Sequence, residues 1–266
     1  MGTIYRNPAL VELIIELQWE LSPTLMPPGS GVDPFFDVVR ADITPRLAQV
    51  GYANSQDLAP SGIPREILAW KPIVRFAPAP DQWPKVQLGP GIFSVHIAGQ
   101  QYTGWPDFEP SVGAALDALL ASFPSYQKLL KLKQIQVRYI NAFTAAHGFE
   151  NYAQFTSRYL GLTSVMPRSF LDALGVSPEN VSTTSQTKFP ITVPPAAHVS
   201  VQAAEGKVNN MPGCLIQITI EGGDSVKVEH VDLMAWLNGA HEIARKTFLS
   251  LAAPELLRSM QPEERP

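Results

Sequence analysis

The stretch DLMAWLNGAHEIARKTF, Asp232 to Phe248, sets a histidine beside a glutamate inside a helical pattern. A zinc-protease helix needs two histidines one turn apart, so that both imidazoles reach one metal. Arg245 stands where the second histidine would have to be. A permanent cation at that position repels a metal, so this spacing excludes that chemistry. Helical geometry gives another reading. At about 100° per residue, Leu233, Trp236, Leu237, Ala240, Ala244, Thr247, Phe248 and Leu251 share one mainly apolar stripe. His241 borders the stripe and Glu242 points away from it. The pattern predicts a histidine that packs its ring and hydrogen-bonds a strand or loop, binding no metal and moving no proton.

The remaining histidines, His96, His147, His198 and His230, have no second ligand type at a metal-site spacing. His230 lies between Glu229 and Asp232 at the start of the same helix. Cys214 is the single cysteine, which rules out an intrachain disulfide and a thiolate-rich zinc site. There is no G-x-S-x-G elbow, no G-x-G-x-x-G at a strand-to-helix junction and no G-x-x-x-x-G-K-[ST] loop. A Ser/His/Asp or Cys/His constellation stays open, because such triads assemble in space and not in sequence. The run YQKLLKLKQIQVRY gathers Lys128, Lys131, Lys133 and Arg138 with Tyr126 and Tyr139. That composition suits a small anionic ligand or RNA, or else a solvated helix-to-strand junction. No catalytic residue, cofactor or metal is assigned from these patterns.

Several elements must position these residues. In ALVELIIELQWEL, Val11, Leu13, Ile15, Leu17, Trp19 and Leu21 alternate with Glu12, Ile14, Glu16, Gln18 and Glu20. This period of two predicts a half-buried strand with a wet, glutamate-bearing face. GVDPFFDVVRADITPRLAQVGY follows with helical spacing of Phe36, Val39, Ile43 and Leu47. Asp33 is a candidate cap, Pro34 a candidate first helical residue, and Pro45 a kink or split. REILAWKPIVRFAP, KVQLGP and GIFSVHIAG read as strands, the first at an edge or carrying a bulge because of Pro72. GWPDFEPSVGAALDALLASFP reads as a helix to Phe123, and KQIQVRYINAF resumes strand alternation. Helical FENYAQFTSRYLGL and PRSFLDALG come next, then a Ser/Thr-rich bridge, SPENVSTTSQTKFP. AHVSVQAAE and CLIQITIEG form a hairpin around GKVNNMPG. A helix from Asp232 to about Leu257 and a polar tail close the chain.

These elements predict an α+β fold of antiparallel sheets with long helices packed on one face. The N-terminal half, 1–147, follows the order β-α-β-β-α-β of a ferredoxin-like unit. The C-terminal half, 148–266, packs closely on it. The length of 266 residues suits this, and 45% hydrophobic residues can form a core. The 25 prolines mark many turns and irregular connections. A net charge of −4 disfavours a general nucleic-acid binder. No stretch approaches the ~18 consecutive apolar residues of a membrane span. The start MGTIYRNPALVE lacks the pattern of a signal peptide, so the cytoplasm is the expected location.

YRNPALVE at the start, WPDFE before the middle helix, RYIN on the strand after it and LNGAHEIARKTF near the end occur in this order. In these motifs the chain resembles a sporadically distributed family of uncharacterised bacterial and archaeal proteins of about this length. The resemblance spans nearly the whole chain, except the middle of the C-terminal half. It carries no established activity, cofactor or catalytic residue. The family's patchy occurrence implies an accessory role, such as a component of a bacterial defence or stress system. By position, the motif residues are Tyr5, Asn7, Pro8, Glu12, Trp105, Pro106, Phe108, Arg138, Tyr139, Asn141, His241 and Phe248.

The expected function is that of a non-enzymatic cytosolic protein that binds another protein, a homo-oligomer being one form of this. Glu12, Glu16, Arg138, Asn141 and His241 are the candidate polar cluster, with Arg138 pairing across strands to Glu12 or Glu16. One rival is a hydrolase or nuclease acting on a phosphate-containing substrate through Arg138, His241 and a carboxylate. An RNA-binding module on a ferredoxin-like sheet is the other. Glu12, Glu16 and Glu20 disfavour it, since they repel a phosphate backbone.

Overall fold

The computed structural model describes residues 3–23, 30–163, 166–177, 181, 183–208, 210–223 and 225–264. Its strands are β1 (Thr3–Tyr5), β2 (Leu10–Trp19), β3 (Asn54–Asp57), β4 (Val74–Ala77), β5 (Lys85–Gly89), β6 (Ile92–Ala98) and β7 (Leu132–Phe143). Those of the second half are β8 (Thr184–Ile191), β9 (Ala197–Val208), β10 (Met211–Gly222) and β11 (Pro262–Glu264). The helices are α1 (Phe36–Gln49), α2 (Trp105–Ser122), α3 (Tyr126–Leu129), α4 (Tyr152–Leu160), α5 (Arg168–Ala173), α6 (His230–Leu251) and α7 (Pro254–Ser259). One nine-stranded antiparallel sheet runs β3-β4-β5-β6-β2-β7-β10-β9-β8, and β1 pairs with β11 apart from it. The fold is therefore α+β, and strands of both halves of the chain share one sheet through the β7–β10 pairing.

Strand β2 lies at the centre of this sheet, between β6 and β7. Leu13, Ile15, Leu17 and Trp19 point into the core, as their parity predicts. Val11 does not join them and is 37% exposed. It sits at a register shift between Leu10 and Glu12, where the extra residue breaks the alternation. The opposite face is less wet than alternation predicts. Ile14 is buried and Glu16 is only 8% exposed, because both lie mid-sheet under the long side chains of neighbouring strands.

The core residues of β2 share one cluster with the buried stripes of α1, α2 and α6. In α1 the stripe is Phe36, Val39, Ile43 and Leu47, and the helix runs unbroken through Pro45. Pro45 and Ala41 are both exposed, so water can take the place of the hydrogen bond that proline removes. Asp33 does not cap α1. Its carboxylate accepts from the Phe35 and Gly91 backbone N–H groups and from Trp19 Nε1, each at 3.0 Å, and ties β2 to the helix entry. Pro72 precedes β4, which pairs on both sides, and the polar β3 forms the edge. The C-terminal helix ends at Leu251, and Pro254 opens the separate α7, as its missing N–H favours at a first turn. The Ser/Thr-rich bridge supplies β8, the other edge strand. The hairpin strands β9 and β10 run on through most of the expected turn.

Candidate functional site

Residues of alternate parity line the sheet face opposite the one on which α1, α2 and α6 pack. Pairing places them in rows across the strands. One row is Gln56, Arg75, Gln87, Ser94, Glu16, Gln136, Glu221, His198 and Pro190, from β3 to β8. The next is Lys85, His96, Ile14, Arg138, Thr219, Ser200 and Lys188. A third is Ala98, Glu12, Ile140, Gln217, Gln202 and Gln186. The floor of this face is closed to solvent: Ile14, Glu16, Ser94, Gln136 and Thr219 are buried. Gln56, His198, Gln186 and Lys188 stand exposed toward its two edges.

Glu16 is the hub of the floor. Its Oε1 accepts from Gln136 Nε2 at 2.7 Å and from Gln18 Nε2 at 2.8 Å, and its Oε2 takes Arg138 Nη2 at 3.3 Å. Arg138 thus pairs with Glu16 as predicted, diagonally, since the residue directly opposite Glu16 is Gln136. Glu12 turns instead to β6, where its Oε1 meets His96 Nδ1 at 2.8 Å. His96 Nε2 lies 2.8 Å from Ser94 Oγ. A carboxylate can only accept, so His96 Nδ1 carries a proton. In the neutral ring, Nε2 must then accept from the Ser94 hydroxyl. Glu221 holds Lys188 and accepts from Gln134. Glu12, Glu16 and Glu221 are therefore each engaged within this face.

His241 and Asn141 lie on the other side of the sheet, with the helices. The structure splits the predicted cluster into Glu12, Glu16 and Arg138 on one face and these two on the other. Asn141 is buried opposite Ile216. His241 is buried as well, and Tyr139 Oη on β7 approaches its Nδ1 at 2.6 Å. The Trp105 ring stacks on it at 4.9 Å and 10°. Glu242 bends back toward the ring, its Oε1 3.6 Å from Nε2, and also pairs with Arg245 at 3.1 Å. Tyr139 Oη also hydrogen-bonds the Tyr102 hydroxyl, so it can serve His241 Nδ1 as donor or as acceptor. Trp105 Nε1 donates to Asn238 Oδ1 at 2.6 Å, and Asn238 Nδ2 donates to Glu109 Oε1 at 2.8 Å.

The His241 pKa falls to about 4, chiefly through burial; Glu242 opposes the shift and Arg245 reinforces it. An unfolded histidine titrates near 6.5. As pH falls, the unfolded chain takes up this proton first, which favours unfolding. The stability held by a neutral His241 is whole above pH ~6.5, declines between about 6.5 and 4, and is gone below that. The shift corresponds to roughly 3 kcal/mol. Urea midpoints of the wild type should drop as pH is lowered from 7 to 4.5. His241→Gln should cost on the order of 1 kcal/mol at pH 7 and flatten that dependence. An unchanged slope in His241→Gln would show that this ring is not the titrating group.

Sequence reasoning missed Ser94, His96 and Gln136. Parity was the available signal: Ser94 and His96 are two apart in GIFSVHIAG and must share a face. The basic run does not form one patch. Lys133 stacks over the Trp70 ring at 3.6 Å, Arg138 pairs with Glu16, and Lys131 lines a cleft of about 490 Å³ with Glu20, Lys227 and Glu229. Asn7 fastens the N-terminal segment, donating from Nδ2 to the Ala146 and Ser259 carbonyls at 3.1 Å each. Phe248 stacks on Phe143. Among the described residues no group of three or more His, Cys, Asp or Glu side chains is placed to hold a metal, and no helix is long and apolar enough to cross a membrane. Comparison with protein families, curated proteins and solved structures finds no match to this chain.

Proposed function

We propose that this chain is a non-enzymatic accessory protein that binds another protein through the polar face of its sheet. One observation carries the reading: a broad face, lined with glutamines and hydroxyls, on which none of the three long helices packs. Its centre is already tied together by Glu16, so the floor is rigid before a partner arrives. Its flanks present amides, able to donate and accept, and such groups recognise polar protein surface. A ferredoxin-like N-terminal half is part of this reading. Its support is the neighbour order β5-β6-β2-β7, with α1 after β2, α2 after β6, and β3 and β4 added beyond β5. The family resemblance draws support from Trp105, Tyr139 and His241, motif residues far apart in sequence that meet in one cluster. A defence or stress role rests on that resemblance.

The test uses the full chain, tagged, in lysate of its host. The wild type should retain a discrete partner at near-stoichiometric yield. Gln202→Arg combined with Gln217→Arg adds two adjacent cations to the face and should reduce recovery at least about tenfold, a loss of ~1.4 kcal/mol, with the circular dichroism spectrum unchanged. Equal recovery by both chains would place the binding surface elsewhere. A hydrolase is the second reading, and the hydrogen bonds among Glu12, His96 and Ser94 are what favour it.

A further inference from the structure

The contacts on β6 and β2 have a chemical order. Glu12 holds His96 Nδ1 at 2.8 Å, and His96 Nε2 faces Ser94 Oγ at 2.8 Å. That is the arrangement of a carboxylate that orients an imidazole and an imidazole that takes a proton from a hydroxyl. Each nitrogen has the partner its role requires: the carboxylate fixes the tautomer, and the free lone pair points at the serine. Strand geometry explains the assembly. Ser94 and His96 share a face because they are two apart on β6, and Glu12 on β2 is a diagonal neighbour of His96. On the other side, Gln87 of β5 lies directly opposite Ser94. Among the described residues its side-chain amide has no hydrogen-bond partner. A side-chain amide beside a nucleophile can stabilise the oxyanion of an acyl-transfer intermediate.

We propose that Ser94, His96 and Glu12 form an acyl-transfer site for a carboxylic ester, with Gln87 as the oxyanion donor. It does not rest on partner binding, and it replaces the non-enzymatic part of the reading above with a reaction. Ser94 Oγ attacks the ester carbonyl carbon as its proton passes to His96 Nε2. The bond to the alkoxy oxygen breaks, and the alcohol leaves with that proton. Water then attacks the acyl-Ser94, giving a proton to His96. The carboxylic acid departs, and Ser94 Oγ regains its proton. Glu12 keeps the ring oriented throughout and does not itself take up the proton. Ser94 is 1% exposed, so the ester carbonyl must enter between the side chains that border it.

A fluorophosphonate probe tests this directly, since it phosphonylates a serine activated by a base and loses fluoride. The intact wild-type chain should gain one label, mapped to Ser94 by peptide mass. Ser94→Ala should take none. His96→Gln, which cannot accept the proton as an imidazole does, should label at least about a hundredfold more slowly. Ser157→Ala, at an exposed serine on α4, should label as the wild type does. Hydrolysis of p-nitrophenyl acetate should fall in the same order. Circular dichroism confirms that each variant is folded. A wild-type chain that takes no label, a label that persists in Ser94→Ala, or an unchanged labelling rate in His96→Gln overturns the proposal and leaves these contacts as a structural network.

Discussion

Trp105→Ala is expected to lower the free energy of unfolding by about 3–5 kcal/mol, the range for removing a buried aromatic ring. The indole stands at the start of α2 and joins it to α6. One face stacks on His241, and Phe108 meets the ring edge-on at 6.1 Å. Its N–H is the donor to Asn238, which in turn donates to Glu109. Alanine removes the packing and leaves the Asn238 oxygen without that donor. Both losses act on the same helix–helix contact. Trp105→Phe keeps an aromatic ring and loses the hydrogen bond, so it should cost less, on the order of 1–2 kcal/mol. Urea unfolding at pH 7 measures both. A Trp105→Ala cost below ~0.5 kcal/mol, the scale of surface substitutions, would show that the ring does not join α2 to α6. Opening this contact also wets His241, so the stability of Trp105→Ala should depend less on pH between 4.5 and 7.

Much of the fold is legible in the order of the residues, because alternation and helical spacing act locally. The β2 parity, the stripes of α1 and α6 and the alternation of β7 each follow from a few neighbours. What sequence cannot show is which strands become neighbours. Arg138 and Glu16 were within reach of reasoning because both lie on long, clean alternations. Asn141 was grouped with them on composition, yet its odd parity relative to Arg138 puts it on the opposite face. Ser94 and His96 share a parity that is readable, but their partner Glu12 is 84 positions from His96. Only the β2–β6 register brings it near. The edge strand β8 hid for another reason. It buries little on either face, so its sequence TSQTKFPI shows no apolar period. Pairing with β9 alone makes it a strand.

Ile15→Ala should cost about 2–5 kcal/mol, the range for truncating a fully buried aliphatic side chain. Ile15 is fully buried on the central strand, with Val95 of β6 and Val137 of β7 directly opposite on either side. Both neighbours are fully buried too, so the three side chains form one row of the core beneath the helices. Alanine there opens a cavity that neither flanking strand can close, because each is held in register by its own ladder. The neighbouring positions provide contrast within one strand. Val11, past the register shift, should lose no more than about 0.5 kcal/mol on change to alanine. Ile14, one residue along and buried on the polar face, borders His96 and Arg138 instead of the main core. Its truncation should fall between those two. The order Ile15, Ile14, Val11 in guanidinium or urea unfolding therefore reads the two faces of β2 separately. Equal losses at Ile15 and Val11 would mean that the bulge in the β2–β7 pairing does not lie between Leu10 and Glu12.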